Sequence, residues 1–316
     1  MLNRFITPFL TLPLFCGLNA HAGPSPNVAE GAGSASRTIE ERSISISKAI
    51  TNSIDSTAET IDITLAGKKY TKKANESSLT LNQYVTWMEG GKVKMSTDFG
   101  LNLRMPNLER RWQLRFTSFD EEEENRDVSQ QRVRTRPRVV DYGASLLFFE
   151  KLGKIKTTFQ PRLQLKNPLD MRYVLRFESS AESKGMRLLP RFDFFADPRK
   201  GTGEYFGVDL LIELNKHSDL TLQNTEEYQD KANLFTTQHG LSYDHSLTDR
   251  KAVGWSYSVV ATNHNYHMSS ETAALIYTEQ IIKSTLKYTL TPFLTFGKSE
   301  HFKGKAGITL NIELVF

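Results

Sequence analysis

Ala306-Gly307-Ile308-Thr309-Leu310-Asn311-Ile312-Glu313-Leu314-Val315-Phe316 is the stretch that decides the fold. Side chains of a strand alternate between its two faces. Ile308, Leu310, Ile312, Leu314 and Phe316 therefore share one face, and Gly307, Thr309, Asn311 and Glu313 share the other. Five large apolar groups on one side need an apolar neighbour, while the opposite side suits water or polar partners.

The same alternation recurs upstream. Val93, Met95, Thr97, Phe99, Leu101, Leu103 and Met105 oppose Lys94, Ser96, Asp98, Gly100, Asn102 and Arg104. Trp112, Leu114 and Phe116 oppose Arg111, Gln113 and Arg115. Phe159, Leu163 and Leu165 oppose Lys156, Arg162 and Lys166, and Tyr173, Leu175 and Phe177 oppose Arg172 and Arg176. Leu188, Phe192 and Phe194 oppose Arg187, Arg191 and Asp193. Val208, Leu210 and Ile212 oppose Asp209 and Glu213. Weaker strands follow at 220–229 and 234–245, then clearer ones at 253–259, 272–280 and 286–296. The turn near 281–285 has no Gly or Pro to mark it, and Pro161, Pro190 and Pro292 interrupt strand patterns. The count is about fourteen strands, with twelve as the alternative, and either is even, as a closed single-chain barrel requires.

Composition sets bounds on this reading. The chain has 316 residues, 24% of them charged, and a net charge of +4. No apolar run after the N-terminus is long enough for a membrane helix, but a barrel needs apolar residues only at alternate positions. The Lys and Arg residues are spread at strand spacing rather than gathered in a patch, which argues against nucleic acid. Residues 1–22 read as a cleaved secretory signal: Asn3-Arg4, an apolar core, then Ala20-His21-Ala22. Cys16, the only cysteine, lies inside it, so the mature chain offers no thiol chemistry and no thiolate metal site. No cofactor is expected.

Residues 23–77 precede the barrel. A Gly- and Ser-rich lead at 23–36 gives way to an amphipathic helix over about 37–62. Ile39, Ile46, Ile50, Ile54 and Ile61 form its apolar stripe. It suits a place under the barrel in the periplasm or inside the lumen as a plug, and the alternative is a partner-binding or disordered segment.

Met88-Glu89-Gly90-Gly91, Leu103 to Glu109, Arg111 to Phe116, the acidic run Asp120 to Glu124, Leu247 to Ala252 and the closing strand together resemble a group of uncharacterised proteobacterial outer-membrane β-barrel proteins. The resemblance implies an all-β, transmembrane, antiparallel up-and-down barrel over 78–316 and a place in the bacterial outer membrane. The partners it implies are outer-membrane lipid and lipopolysaccharide, and the barrel-assembly machinery. Ile308, Leu310, Ile312, Leu314 and Phe316 match the closing-strand signal that this machinery recognises. The group brings no known activity.

If the apolar faces meet lipid, Arg111, Arg115, Lys156, Arg162, Lys166, Arg172, Arg176, Arg187 and Arg191 point into the lumen from one run of strands. Asp209, Glu213 and Glu227 point inward from the next. A basic wall beside an acidic one makes a transverse field suited to small charged or dipolar solutes. The alternative is that opposed charges pair and fill the interior. The charged loop beginning at Asp120 reads as solvated. Among catalytic arrangements, the only cluster with a nucleophile and a base is Asn263 to Ser270, with His264, His267, Ser269 and Ser270. The expectation is therefore a non-catalytic barrel, serving as a channel or an envelope structural protein. A barrel enzyme acting on envelope lipid and a soluble periplasmic binding protein are the competing classes.

Overall fold

A computed structural model describes residues 31–67, 77–106, 112–198, 200–263 and 267–316. The described residues up to Glu41 and those from Arg42 onward fall into separate units. The expected signal segment 1–22 lies outside the described residues.

Helix α1 runs Gly31–Ala66, starting inside the stretch expected to be a flexible lead. Its Ser/Thr content is accommodated by back-bonding: the hydroxyls of Thr51, Thr57, Thr60 and Thr64 each donate to the carbonyl four residues earlier, at 2.7–3.0 Å. The covered face follows much of the expected isoleucine stripe, with Ile50, Ile54 and Ile61 half-buried beside Ala58. Ser47, Ala58 and Asp62 are buried, whereas Ile46 is exposed. The Asp55 carboxylate accepts a hydrogen bond from the Ser77 backbone N–H at 2.8 Å, which ties the helix to the start of the sheet.

The sheet contains β1 (Ser78–Met88), β2 (Lys94–Arg104), β3 (Trp112–Thr117), β4 (Gly143–Leu152), β5 (Ile155–Gln164), β6 (Asp170–Glu178), β7 (Ala181–Ser183), β8 (Met186–Asp197), β9 (Gly201–Asn215), β10 (Ser218–Gln229), β11 (Leu234–Thr248), β12 (Lys251–Thr262), β13 (His267–Ile282), β14 (Leu286–Gly297) and β15 (Gly304–Val315). Each pairs antiparallel with its neighbours in sequence, except that β6 and the three-residue β7 lie end to end along one side of β8. They count as one stave, so fourteen staves close the barrel. Closure is between β1 and β15, where Leu79 and Phe316 exchange both backbone hydrogen bonds, at 3.0 and 2.9 Å. A closed sheet leaves no edge of unpaired peptide groups, the condition for crossing a membrane with strands.

The three strand prolines fall where the ladder breaks. Pairing between β4 and β5 skips from Ser145–Arg162 to Phe148–Phe159 at Pro161. At Pro190 it passes from β6 to β7, and at Pro292 it skips from Ala274–Phe293 to Tyr277–Leu290. On the other side each proline stays in register, with Tyr173, Val208 and Ile308 respectively. Having no N–H, proline gives up the ladder to one neighbour only.

Faces sort as the alternation demands. Met95, Phe159, Tyr173, Phe194, Phe206, Leu275, Ile308 and Ile312 are exposed on the outer wall. Trp112 meets Phe148 edge-to-face, and Phe148, Phe159 and Tyr173 stack onward across β4 to β6 there, with ring centroids 4.9–6.3 Å apart. Inward positions such as Thr86, Asp98, Ser145, Arg162, Asp193 and Thr309 are buried within the barrel. The end where the chain enters and leaves has short turns, including those at 153–154, 216–217 and 249–250. The far end carries the long segment 118–142.

Candidate functional site

The 118–142 segment does not extend into solvent, as its charge suggested. It folds into the lumen. Helices α2 (Glu121–Glu124) and α3 (Val128–Arg132) shape it, N-capped by Asp120 and Asp127, whose carboxylates accept from backbone N–H groups at 3.0–3.2 Å. Glu122, Arg126, Val128 and Val133 are buried. The segment meets strands around most of the wall.

Its stems are held by Arg162, which is buried on β5. The guanidinium donates to Thr117 Oγ1 at 2.7 Å, the Phe119 carbonyl at 3.0 Å and the Asp141 carbonyl at 2.6 Å, clasping the segment where it leaves and rejoins the sheet. Gly143 makes room for this: a β-carbon there would sit 2.6 Å from the guanidinium carbon.

The basic wall meets the segment's acids rather than facing an empty lumen. Arg115 on β3 pairs with Glu121 at 2.6 Å. Arg172 on β6 pairs with Asp120 and with Asp197 of β8, the latter at 2.7 Å. Arg176 pairs with Glu122 and with the fully buried Asp193, the latter at 2.9 Å, and Arg191 shares Asp193. Arg191 also donates to the Asn125 carbonyl at 3.2 Å. Charge-assisted, partly bidentate bonds of this kind fix geometry closely.

Cations of the segment reach the opposite wall. Arg126 bonds Glu227 on β10 at 3.1 Å and lies 4.3 Å over the Phe195 ring. Arg132 meets Asp244 on β11 at 2.5 Å. Arg138 pairs with Asp98 on β2 at 2.9 Å and with Glu124 at 2.7 Å, and stacks 3.6 Å over Phe119. Arg134 pairs with Glu124 and lies 4.6 Å over Tyr84 of β1, while its carbonyl accepts from Thr309 of β15 at 2.6 Å. Burial, then the neighbouring Arg138, pulls the Arg134 guanidinium below its ordinary pKa. Burial pushes the Asp141 carboxyl up, against the opposing pull of Arg172 and Arg162.

The remaining lumen candidates stand apart. Lys156 meets Glu178 at 3.1 Å near the terminal end, and the exposed Arg187 pairs with Glu182 at 2.6 Å. Lys166 pairs with Asp170 beyond the end of β5. Asp209 lies across from Gln223, and Glu213 is exposed close to a turn. Arg111 and His264 lie outside the described residues. Ser269 Oγ is 2.9 Å from Thr262 Oγ1. Among the described residues, no group of three or more His, Cys, Asp or Glu is placed to hold a metal.

The carboxylates that matter most were those of 120–124, together with Asp98, Asp193 and Asp197. One signal marked them: β3 to β8 carry too many inward arginines to be buried without acids.

On the terminal side of α2 a polar vestibule of about 1200 Å³ opens, lined by Arg115, Glu121, Glu122, Lys156, Arg176 and Glu178 among others. On the far side, residues 119–141 line a separate hollow of about 280 Å³. The segment lies between the two.

No family model and no curated protein matches the chain. Solved structures do. OprB of Pseudomonas putida aligns over 76% of this chain and 94% of its own, at 10% identity and a TM-score of 0.50. A loop-deletion form of OmpT, an outer membrane protein of Vibrio cholerae, covers 76% and 98% at 10% identity and a TM-score of 0.47. The NanC porin covers 74% and 98% at 7% identity and a TM-score of 0.40. At such identities the likeness concerns the fold alone, and the fold is a closed, fourteen-strand transmembrane β-barrel of the porin-like, outer-membrane type.

Proposed function

We propose that the protein is a non-catalytic outer-membrane channel for small charged solutes, with the 118–142 segment as its constriction. One observation carries this reading. The vestibule of about 1200 Å³ narrows onto α2, where Arg115 and Arg176 face Glu121 and Glu122. A solute leaving the vestibule meets both signs of charge at once, in a space walled by low-dielectric sheet. In this reading the terminal end is periplasmic, the signal segment is removed on export, and lipopolysaccharide meets the far end. The resemblance to the uncharacterised proteobacterial barrel group belongs to the same reading.

The pairing of Arg115, Arg172, Arg176 and Arg191 favours one other reading: a filled barrel with a structural role in the envelope. Planar-bilayer recording separates the two. The channel reading expects small, infrequent openings from the full protein. Replacing 121–138 with a short Gly/Ser linker should raise conductance several-fold. A deletion variant that remains a heat-modifiable, folded barrel yet stays silent would leave only the filled barrel.

A further inference from the structure

The outer wall carries polar groups at a depth where lipid would otherwise touch it. Gln238 and Gly240 face inward, since one donates to the Arg126 carbonyl at 3.3 Å and the other packs on Val128. His239 between them therefore faces outward. Thr225 and Glu227 face inward on β10, the latter bonded to Arg126, so Asn224 and Glu226 also face outward. Asn224 and Glu226 are exposed. Asn224 Oδ1 lies 2.7 Å from His239 Nδ1 across the β10–β11 seam.

Flanking residues set the depth of this patch. Outward along β11, His239 stands four residues from Tyr243 on one side and four from Phe235 on the other. Outward along β10, Asn224 stands four from Leu220 and four from Tyr228. Aromatic side chains in such positions mark the two edges of the apolar band. A strand tilted by about 40° climbs roughly 2.5 Å per residue along the barrel axis. Four residues separate the patch from the Leu220–Tyr243 pair at the lower edge. That places it roughly 10 Å up a band roughly 25 Å tall. A carboxylate and an imidazole at that depth are costly against lipid and ordinary against protein.

We propose that the β10–β11 seam is the contact face for a second copy of this chain. Both copies share one orientation in the membrane, so the axis relating them runs along the membrane normal. An axis at the seam sets β10 of one copy against β11 of the other. The row through Asn224 and His239 climbs by roughly 3 Å from β10 to β11 because of the tilt, and Glu226 stands two residues above Asn224. Glu226 thus reaches about the level of His239 of the second copy, and His239 that of its Glu226. The patch carries acid and base side by side, which makes it complementary to itself and to no lipid tail.

The test uses the full chain with Cys16→Ser to remove background thiol. E226C and H239C forms carrying tags of different size are co-expressed and oxidised in intact membranes. The expected result is a mixed disulfide of the two forms, much more abundant than either self-linked species. In mild detergent, light scattering should give twice the monomer mass for the wild type. The N224L/E226L/H239L protein should give the monomer mass while keeping the heat-modifiable band of a folded barrel. A wild type of monomer mass, an unchanged mass in the triple variant, or a disulfide adduct to a different protein would each overturn the proposal. So would folded E226C and H239C forms that yield no mixed dimer.

Discussion

The two halves of the barrel hold the same inserted segment by different physics. From β3 to β8 the interior is arginine, and the attachment is ionic: Arg115, Arg172, Arg176 and Arg191 reach Glu121, Asp120, Glu122 and the Asn125 carbonyl. From β11 to β15 and round to β1 the interior is mostly hydroxyl. Thr86 pairs with Thr309, Thr272 with Thr295 and Thr278 with Thr289, at 3.1–3.2 Å. There, apart from the Arg132–Asp244 pair on β11, the segment is seated by shape. Val133 packs on Ala274 and Phe293, and Val128 lies against Gly240. Small hydroxyl side chains satisfy one another and leave room, whereas arginines reach out and bind. A lumen-crossing segment thus gains a latch on one side and a seat on the other.

The latch side should respond most strongly to mutation. Asp193→Ala removes the fully buried carboxylate shared by the half-buried Arg176 and Arg191, and leaving the two cations without it costs about 3 kcal/mol. Urea titration of the barrel in liposomes would measure this, and a loss below 1 kcal/mol would mean that Glu122 alone suffices. Arg162→Met comes next. It removes the guanidinium from three acceptors at the stems, of which the Phe119 carbonyl keeps the Thr117 hydroxyl as donor, at about 2–3 kcal/mol in sum. The expected outcome is protease cleavage within 118–142 while heat-modifiable migration is retained.

On the seat side Gly240→Ala tests packing alone. Its new methyl would lie 2.7 Å from Val128 Cγ1, for a loss of about 1–3 kcal/mol by overpacking. Gly240→Ala combined with Val128→Ala should recover most of it. If the double variant is no better than the single one, the seat is not steric.

The smallest effect concerns pH. Burial raises the Asp141 carboxyl above its ordinary range, so the neutral form favours the docked segment. The stabilisation that Asp141 contributes is therefore present at low pH and lost as pH rises through that raised value. Asp141→Asn should remove this component from the pH dependence of segment protection, measured by hydrogen exchange. An unchanged profile would assign the dependence to other carboxylates.

Most of the wall was legible from alternation because each strand meets lipid on one face only. Even the turn without Gly or Pro resolves between Ile282 and Leu286, where Ser284 takes a positive φ of 65°. The inserted segment was not legible. Several of its ion pairs join residues far apart, such as Arg172 with Asp120, 52 positions away, and Arg132 with Asp244, 112 away, and periodicity carries no information at that range. The acidic run and the arginines after it look like any solvated loop until the wall's own excess of inward arginine is counted against them. Helix α1 was legible in part: Ile50, Ile54, Ala58 and Ile61 lie on its covered side, but Ile46 is exposed and the buried Asp62 joins that face.

Arg134 has one consequence for how the barrel is made. Its carbonyl takes a hydrogen bond from Thr309 on β15, and its guanidinium lies over Tyr84 on β1. These two strands form the joint at which first meets last. The inserted segment therefore acts as a rivet across the weld: its docking site is complete only once the wall has closed, and once seated it resists reopening along that line. Sealing the cylinder and occupying its bore become one cooperative event, so a half-closed barrel is also an empty one.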